Sequence, residues 1–275
     1  MTKTWKHLKR SPSAIIGLTI VILLVLAGVF APLLTPHDPT RQELIKVLQA
    51  PSAEHLLGTD HLGRDVLSRI LHGARLTLFM GFFAVAVGLI FGVPLGVISG
   101  YYGGWVDMAI QRVMDLMLSF TTFLLALALV SLLGVGVLNV IIAVGVSTIP
   151  RFTRLVRSSV LTIREVTYVE ASRAVGTGQG RIMLKHVLPN ALSPVIIQAT
   201  LSMGATILTA AGLGFLGLGA QPPLPEWGAM ISRGRAFILD QWWVATMPGF
   251  AIVIVSLGFC FLGDGLRDVL DPKQE

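Results

Sequence analysis

The chain has 275 residues, 53% of them apolar and 13% charged, with a net charge of +6. A soluble domain carries roughly 25% charged residues, so half that share leaves the outside of the fold as apolar as its core. The pattern demands a bilayer. It excludes a disordered or collagen-like chain, and the single cysteine, Cys260 in an apolar run, excludes a disulfide-stapled one.

A helix needs about 20 apolar residues to cross the hydrocarbon. In chain order the charge-poor stretches are 11–40 (broken only by Asp38), 76–106, 116–150, 190–225 and 241–263. The first has its apolar part at 14–34, one span. A basic segment precedes it, but the apolar run exceeds the 7–15 residues of a signal-peptide core, so an uncleaved anchor is expected. The stretch 76–106 holds one span ending near Gly100. The stretch 116–150 has room for two short crossings, with Gly134-Val135-Gly136 as the hairpin between them. The stretch 190–225 gives one span and a bent or re-entrant tail, because Gly212, Gly214, Gly217, Gly219 and Pro222-Pro223 make poor helix. The last stretch gives one more. The expected fold is an all-α integral membrane protein of six transmembrane helices.

Six crossings put both termini on one side. With the termini in the cytoplasm, the inner segments (1–13, 101–115, 151–189, 264–275) hold 14 Lys and Arg against 8 acids. The outer segments (35–75, the 134 turn, 220–243) hold 7 against 7. The positive-inside rule selects this orientation. Basicity is thereby a topology signal, and no nucleic-acid partner is expected. The domains read as a cytoplasmic segment 1–13, a first helix 14–34, an extracytoplasmic loop 35–75, a five-helix core 76–264 with a cytoplasmic loop 151–189, and a cytoplasmic tail 265–275.

Gly88, Gly92, Gly96, Gly100 and Gly104 recur every four residues, which keeps them on one helix face where a neighbour can approach closely. A packing seam inside the bundle is expected; an interface with a second subunit is the alternative. Mid-span ionisable residues are absent. Proton- and sodium-driven carriers keep such groups near the midplane, so the driving energy is expected from another subunit. Ser119, Thr122, Gln198 and Thr206 are candidates for a polar translocation path.

The loop 151–189 carries the densest signal. Thr167 to Glu170 has capping-box spacing, and Gly176 suits a left-handed C-cap, giving a two-turn helix at about 168–175. So short a helix is marginal in water and must be held by docking. At Glu170-Ala171-Ser172, then Gly176, then His186-Val187-Leu188-Pro189, the chain resembles the EAA loop of inner-membrane permease subunits of ABC importers. Ser172 stands where that pattern has a second Ala, and His186 where Ile is usual, which is similar to the peptide-transport branch. Leu57-Gly58-Thr59-Asp60 with Gly63 to Arg69, Gly214 to Pro223 with Pro225 to Gly228, and Gly263 to Asp268 with Leu270-Asp271-Pro272 are similar to the dipeptide, oligopeptide and nickel permeases of the C type.

The resemblance implies a type I importer permease fold in a bacterial inner membrane, carrying di- or oligopeptides, or else nickel or glutathione. It implies a B-type permease partner, two cytoplasmic ATPase subunits and an extracytoplasmic solute-binding protein. Glu170, Ala171, Ser172, Gly176, His186, Leu188 and Pro189 would couple the spans to an ATPase. The chain has no Gly-x-x-x-x-Gly-Lys-Ser/Thr loop, so ATP and Mg²⁺ are expected on the partners and no cofactor on this chain. No nucleophile–base cluster suggests catalysis. His55, Asp60, His61 and Asp65 raise the idea of a metal, but Asp60 and Asp65 are expected to pair with Arg64 or Arg69, and no metal site is expected. A self-sufficient carrier and an intramembrane enzyme are the rival readings.

Overall fold

The computed structural model describes residues 12–270. The basic segment 1–10 and the closing Asp271-Pro272 of the sequence reading lie outside the described residues. The helices are α1 (Pro12–Val29), the single turn α2 (Ala31–Leu34), α3 (Val66–Tyr102), α4 (Gly104–Leu118), α5 (Thr122–Leu133), α6 (Val137–Ile163), α7 (Thr167–Ala174), α8 (Gln179–Ile182), α9 (Leu188–Phe215), α10 (Trp227–Gly234) and α11 (Trp243–Leu270). A π-helical turn, Met183–Val187, fuses α8 to α9. Among the described residues the only extended pairing is a bridge between Thr59 and Asp65.

Five helical segments are long and apolar enough to cross a membrane: α1, α3, α6, the α8–α9 run and α11. The sixth crossing is broken. Helices α4 and α5 meet at 90° around Ser119–Thr121. The sequence reading took 101–115 as a link and began a span at 116. Instead, residues 104–118 are a helix of their own, tied by its acids to α6. Arg157 binds Asp107 with two hydrogen bonds of 2.6 Å, and Arg154 reaches Asp115 at 2.5 Å. The glycine hairpin does form: Gly134 and Gly136 have positive φ, and α5 packs back on α6.

Two further boundaries move. Helix α3 starts at Val66, ten residues before the expected span, because Asp65 caps it by accepting from the Ser68 N–H at 2.7 Å. At 37 residues it is about 55 Å long, so it outruns a hydrocarbon core of about 30 Å. The loop 151–189 is likewise shortened, with α6 helical through Ile163 and α9 under way by Leu188. The tail expected to bend after this span does so only past Phe215, with Gly217 at φ +82°. Helix α9 continues to Phe215, and α10 packs across it and α11.

The most extensive helix contact is α3 against α6, and the glycine repeat explains it. A Cβ on Gly92 would lie 2.7 Å from the Phe152 Cβ and 3.0 Å from the Ile149 carbonyl; one on Gly96 would lie 2.6 Å from the Thr153 carbonyl; one on Gly100, 2.9 Å from that of Arg157. The repeat is a seam within the bundle as expected, but only over four members. Gly104 opens α4 and has nothing within 4 Å. The outside of the bundle is apolar: Leu23, Val29, Phe82, Ile90, Leu132 and Leu138 are all well exposed, as lipid-facing side chains must be.

Candidate functional site

The two ends of the bundle carry the polar chemistry. At one end, α7, α8 and the π turn form a small platform on the tips of α3 and α6. Val169, Ile182 and Val187 are fully buried there, in one cluster with Val97, Tyr101, Val156, Val160 and Ala191. Helix α7 is therefore held by docking. Its start differs from the sequence expectation: Thr167 is the first helical residue, and the Glu170 N–H goes to the Val166 carbonyl at 3.3 Å. The ladder begins one residue early, so Val166 occupies the N-cap place that the capping box assigns to Thr167.

The C-terminus of α7 forms as expected. Gly176 has φ +82°. The Thr177 N–H reaches the Ser172 carbonyl at 3.1 Å, and the Val175 N–H reaches that of Ala171 at 3.1 Å. The six-residue closure around a left-handed glycine is a Schellman cap. Nothing lies within 4 Å of a Cβ on Gly176, so the backbone conformation alone selects glycine.

The seven loop residues fall into two connected groups. Glu170, Ala171, Ser172 and Gly176 lie on or just after α7, with Glu170 and Ala171 exposed. His186 lies in the π turn, and Leu188 and Pro189 open α9. Tyr168 and Asn190 join the groups. The Asn190 amide donates to the His186 carbonyl at 2.6 Å and to the Tyr168 hydroxyl at 2.9 Å. The Tyr168 and His186 rings lie 6.2 Å apart. Neither Tyr168 nor Asn190 is visible as a site residue in the sequence, since their meeting depends on the π turn. A further lock, from the Tyr101 hydroxyl to Gln179, ties α3 to the platform. The exposed face of the platform is mixed: Val175 is 85% exposed and Leu184 61%, and Glu170, Gln179, Arg181 and Lys185 are exposed around them.

The candidate path residues do not share one accessible surface. Ser119 is exposed and Thr122 half-buried at the α4–α5 bend. Gln198 is half-buried on α9, donating to Ser202 at 3.1 Å. Thr206, two turns further along, is buried.

At the opposite end, residues 35–65 and α10 form a cap over the starts of α3 and α11. Trp227 is fully buried and donates to the Ile70 carbonyl at 3.0 Å. Trp243 is buried too, donating to the Thr59 carbonyl at 3.3 Å. A Trp pair near a span end, such as Trp242-Trp243, suits an interfacial anchor. Only the exposed Trp242 can serve so; Trp243 pins the cap. Glu226 caps α10, accepting from the Gly228 and Ala229 N–H groups at 2.7 Å each, and its burial raises its carboxyl pKa.

The acids of this loop divide differently from the expectation. Asp60 does pair with Arg64, at 2.7 Å, with Arg69 at 3.7 Å. Asp65 pairs with His55 at 3.0 Å, not with an arginine. His61 stacks on Phe237. Burial pushes the Asp60 carboxyl up, but the Arg64 guanidinium and the Leu62 and Arg64 N–H groups hold it below the usual carboxylate range. A depressed folded pKa gives stability that is present above the unfolded value and lost as pH falls. The cap should therefore loosen below about pH 4, where a free Asp titrates. Asp60→Asn should lower stability at pH 7 by about 3–5 kcal/mol, by stranding two buried arginines, and flatten that acid limb. Thermal melting in detergent across pH 3–7 checks it; a variant as stable as wild type at pH 7 would contradict the pairing.

These features agree with what similarity shows. Residues 92–275 match the family described as the binding-protein-dependent transport system inner membrane component, and residues 1–51 match the N-terminal TM domain of oligopeptide transport permease C. The chain is 51% identical to the dipeptide transport system permease protein DppC of Alkalihalophilus pseudofirmus, over 99% of this chain and 90% of that one. It is 45% identical to the di/tripeptide permease DppC of Pseudomonas aeruginosa (98% and 91% covered) and 42% to the glutathione permease GsiD of Pectobacterium atrosepticum (98% and 90%). Among solved structures it resembles the MetNI methionine ABC transporter in an inward-facing conformation, with TM-score 0.60 and 24% identity over 73% of this chain and 95% of that one, which supports a shared fold. The chain belongs to the inner-membrane permease components of binding-protein-dependent ABC importers.

Proposed function

We propose that this permease forms half of a translocation pathway for di- or oligopeptides, with a C-type place beside a distinct B-type permease, two cytoplasmic ATPases below and a solute-binding protein above. The relatives named for dipeptides support the substrate class. Glutathione, itself a peptide, is the second reading, on the strength of the GsiD relatives. ATP and Mg²⁺ belong to the ATPases, because this chain's sequence has no phosphate loop of its own. Both termini then lie in the cytoplasm, on the basic side of the sequence.

One observation carries the coupling role. Helix α7 is fastened by Val169 on one side while Glu170, Ala171 and Val175 stand outward with no packing of their own. A rigid, half-buried helix with an exposed apolar tip is a part built to enter a groove. ATPase closure would push α7, and the Tyr168–Asn190 bonds would pass the displacement into α9. The Arg157–Asp107 pair and the Arg164 bond to the Gly100 carbonyl at 3.0 Å keep α6, α3 and α4 moving as a unit.

The test is co-purification of the ATPases with a tagged subunit, combined with uptake of labelled dipeptide in proteoliposomes. Val175→Asp should cut ATPase recovery and uptake at least tenfold while leaving the thermal melt unchanged, since Val175 packs on nothing within the chain. Full recovery of the ATPases with Val175→Asp would refute α7 as their docking element. Titrating the binding protein with dipeptides and with glutathione separates the two substrate readings.

A further inference from the structure

Three side chains in the outer cap have no part in coupling or transport as described above. His37 follows α2, and Glu54 and His55 lie 17 and 18 residues further on, yet one ligand-type atom from each of the three lies within 4.8 Å of the others. The two imidazoles are 4.6 Å apart and tilted by 35°. His55 is 2% exposed, and its Nε2 is buried with no hydrogen-bond partner; the Nδ1 of His37 is buried and unpartnered as well. Two orphaned imidazole nitrogens in one place are unusual, because buried polar atoms normally find partners.

The second ring nitrogen of His55 explains its tautomer. Its Nδ1 lies 3.0 Å from the Asp65 carboxylate, which accepts and so fixes the proton there, leaving a lone pair on Nε2. The other Asp65 oxygen accepts from the Ser68 N–H at 2.7 Å, so the carboxylate is anchored to the first turn of α3. A carboxylate that orients a histidine whose far nitrogen is free is the arrangement found behind metal-bound histidines. The two imidazoles and Asp65 line a cavity of about 100 Å³ together with Asp38, Arg41 and Glu43, and Glu54 stands outside its lining.

We propose that His37, Glu54 and His55 bind a divalent transition metal of the zinc class, as a resident cross-link of the outer cap. Two imidazoles and one carboxylate suit zinc, copper or nickel; calcium and magnesium take oxygen ligands. Tetrahedral bonds of about 2.0–2.2 Å place ligand atoms roughly 3.4 Å apart, so closing from 4.8 Å asks for little more than an ångström. Glu54 is free to turn toward the rings: its side chain is 60% exposed and bonded only to Lys46, at 2.7 Å, and Lys46 keeps Glu43 at 2.9 Å when Glu54 turns away. Three protein ligands leave one position for water or for a group from whatever docks on the cap. The metal would join the segment after α2 to the turn before α3, adding to the Lys46–Glu54 and His55–Asp65 pairs and the Arg69 contact to the Pro39 carbonyl that hold this loop.

The experiment uses the whole chain in detergent, stripped with chelator and titrated with Co²⁺, whose visible absorption reports tetrahedral binding, then with Zn²⁺ as competitor. Wild type should take up one equivalent. His37→Ala and Glu54→Gln should each weaken binding at least tenfold, and Lys46→Met should tighten it by freeing Glu54. Zn²⁺ should raise the melting midpoint of wild type and leave that of His37→Ala unmoved. Glu54 is exposed and His37 half-buried, and a wild-type melt without metal confirms that each variant folds. No saturable Co²⁺ binding by wild type overturns the proposal. So does equal affinity in His37→Ala and Glu54→Gln, which would place the metal elsewhere, for example as cargo in the pathway.

Discussion

Gly92→Leu is expected to remove the folded permease from the membrane. Even a Cβ at this position comes within 2.7 Å of Phe152 and 3.0 Å of the Ile149 carbonyl. The second neighbour is backbone, so no rotamer change relieves the clash, and α3 and α6 must part along their most extensive contact. Overpacking a core costs about 1–3 kcal/mol when neighbours can give; a leucine facing helix backbone exceeds that. Gly249→Ala is the control, because nothing lies within 4 Å of its Cβ. Monodisperse protein recovered by size exclusion should fall at least tenfold for Gly92→Leu and hold for Gly249→Ala. A Gly92→Leu protein that melts like wild type would mean the seam tolerates separation and does not organise the bundle.

Gly176→Val should leave the chain in the membrane and lower peptide uptake at least tenfold. The left-handed backbone at φ +82° costs an L-residue about 1–2 kcal/mol, more when the side chain is β-branched. That cost falls on an eight-residue helix with little stability of its own. Relaxing it breaks the Thr177 to Ser172 closure, frays α7 and spoils the surface offered to the ATPase. The bundle itself is untouched, since the residue packs on nothing. Gly176→Asn should keep most of the activity, because asparagine tolerates left-handed geometry. Unimpaired uptake with valine would sink the argument that the cap geometry serves coupling.

The two substitutions differ in how their glycines could be recognised. Gly92 belongs to a four-residue repeat, which shows a close-packed face but not which helix meets it. Gly176 follows a short helical pattern, which shows a stop but not what the stop holds in place. Helix α7 and its glycine cap were legible because caps and short-range hydrogen bonds are local. The residue at its start was not, because a one-residue shift in the first turn is decided by how Val169 reaches the cluster under it.

By itself the sequence determined the membrane fold and its family resemblance, and its charge asymmetry supports the orientation proposed above. These rest on composition, on long charge-free runs and on local motifs, all of which one chain carries without knowing its neighbours. Only the tertiary structure decided the rest. The third crossing is bent because Asp107 and Asp115 find arginines about 40 to 50 residues away on α6. Trp243 is inside because residues 58–59, far back in the chain, come to cover it. The His37–Glu54–His55 cluster arises because a loop without regular structure is folded back on α3 by Asp60, Asp65 and Arg69. Long-range contacts of this kind leave no periodic trace in a sequence, and each of these features depends on one.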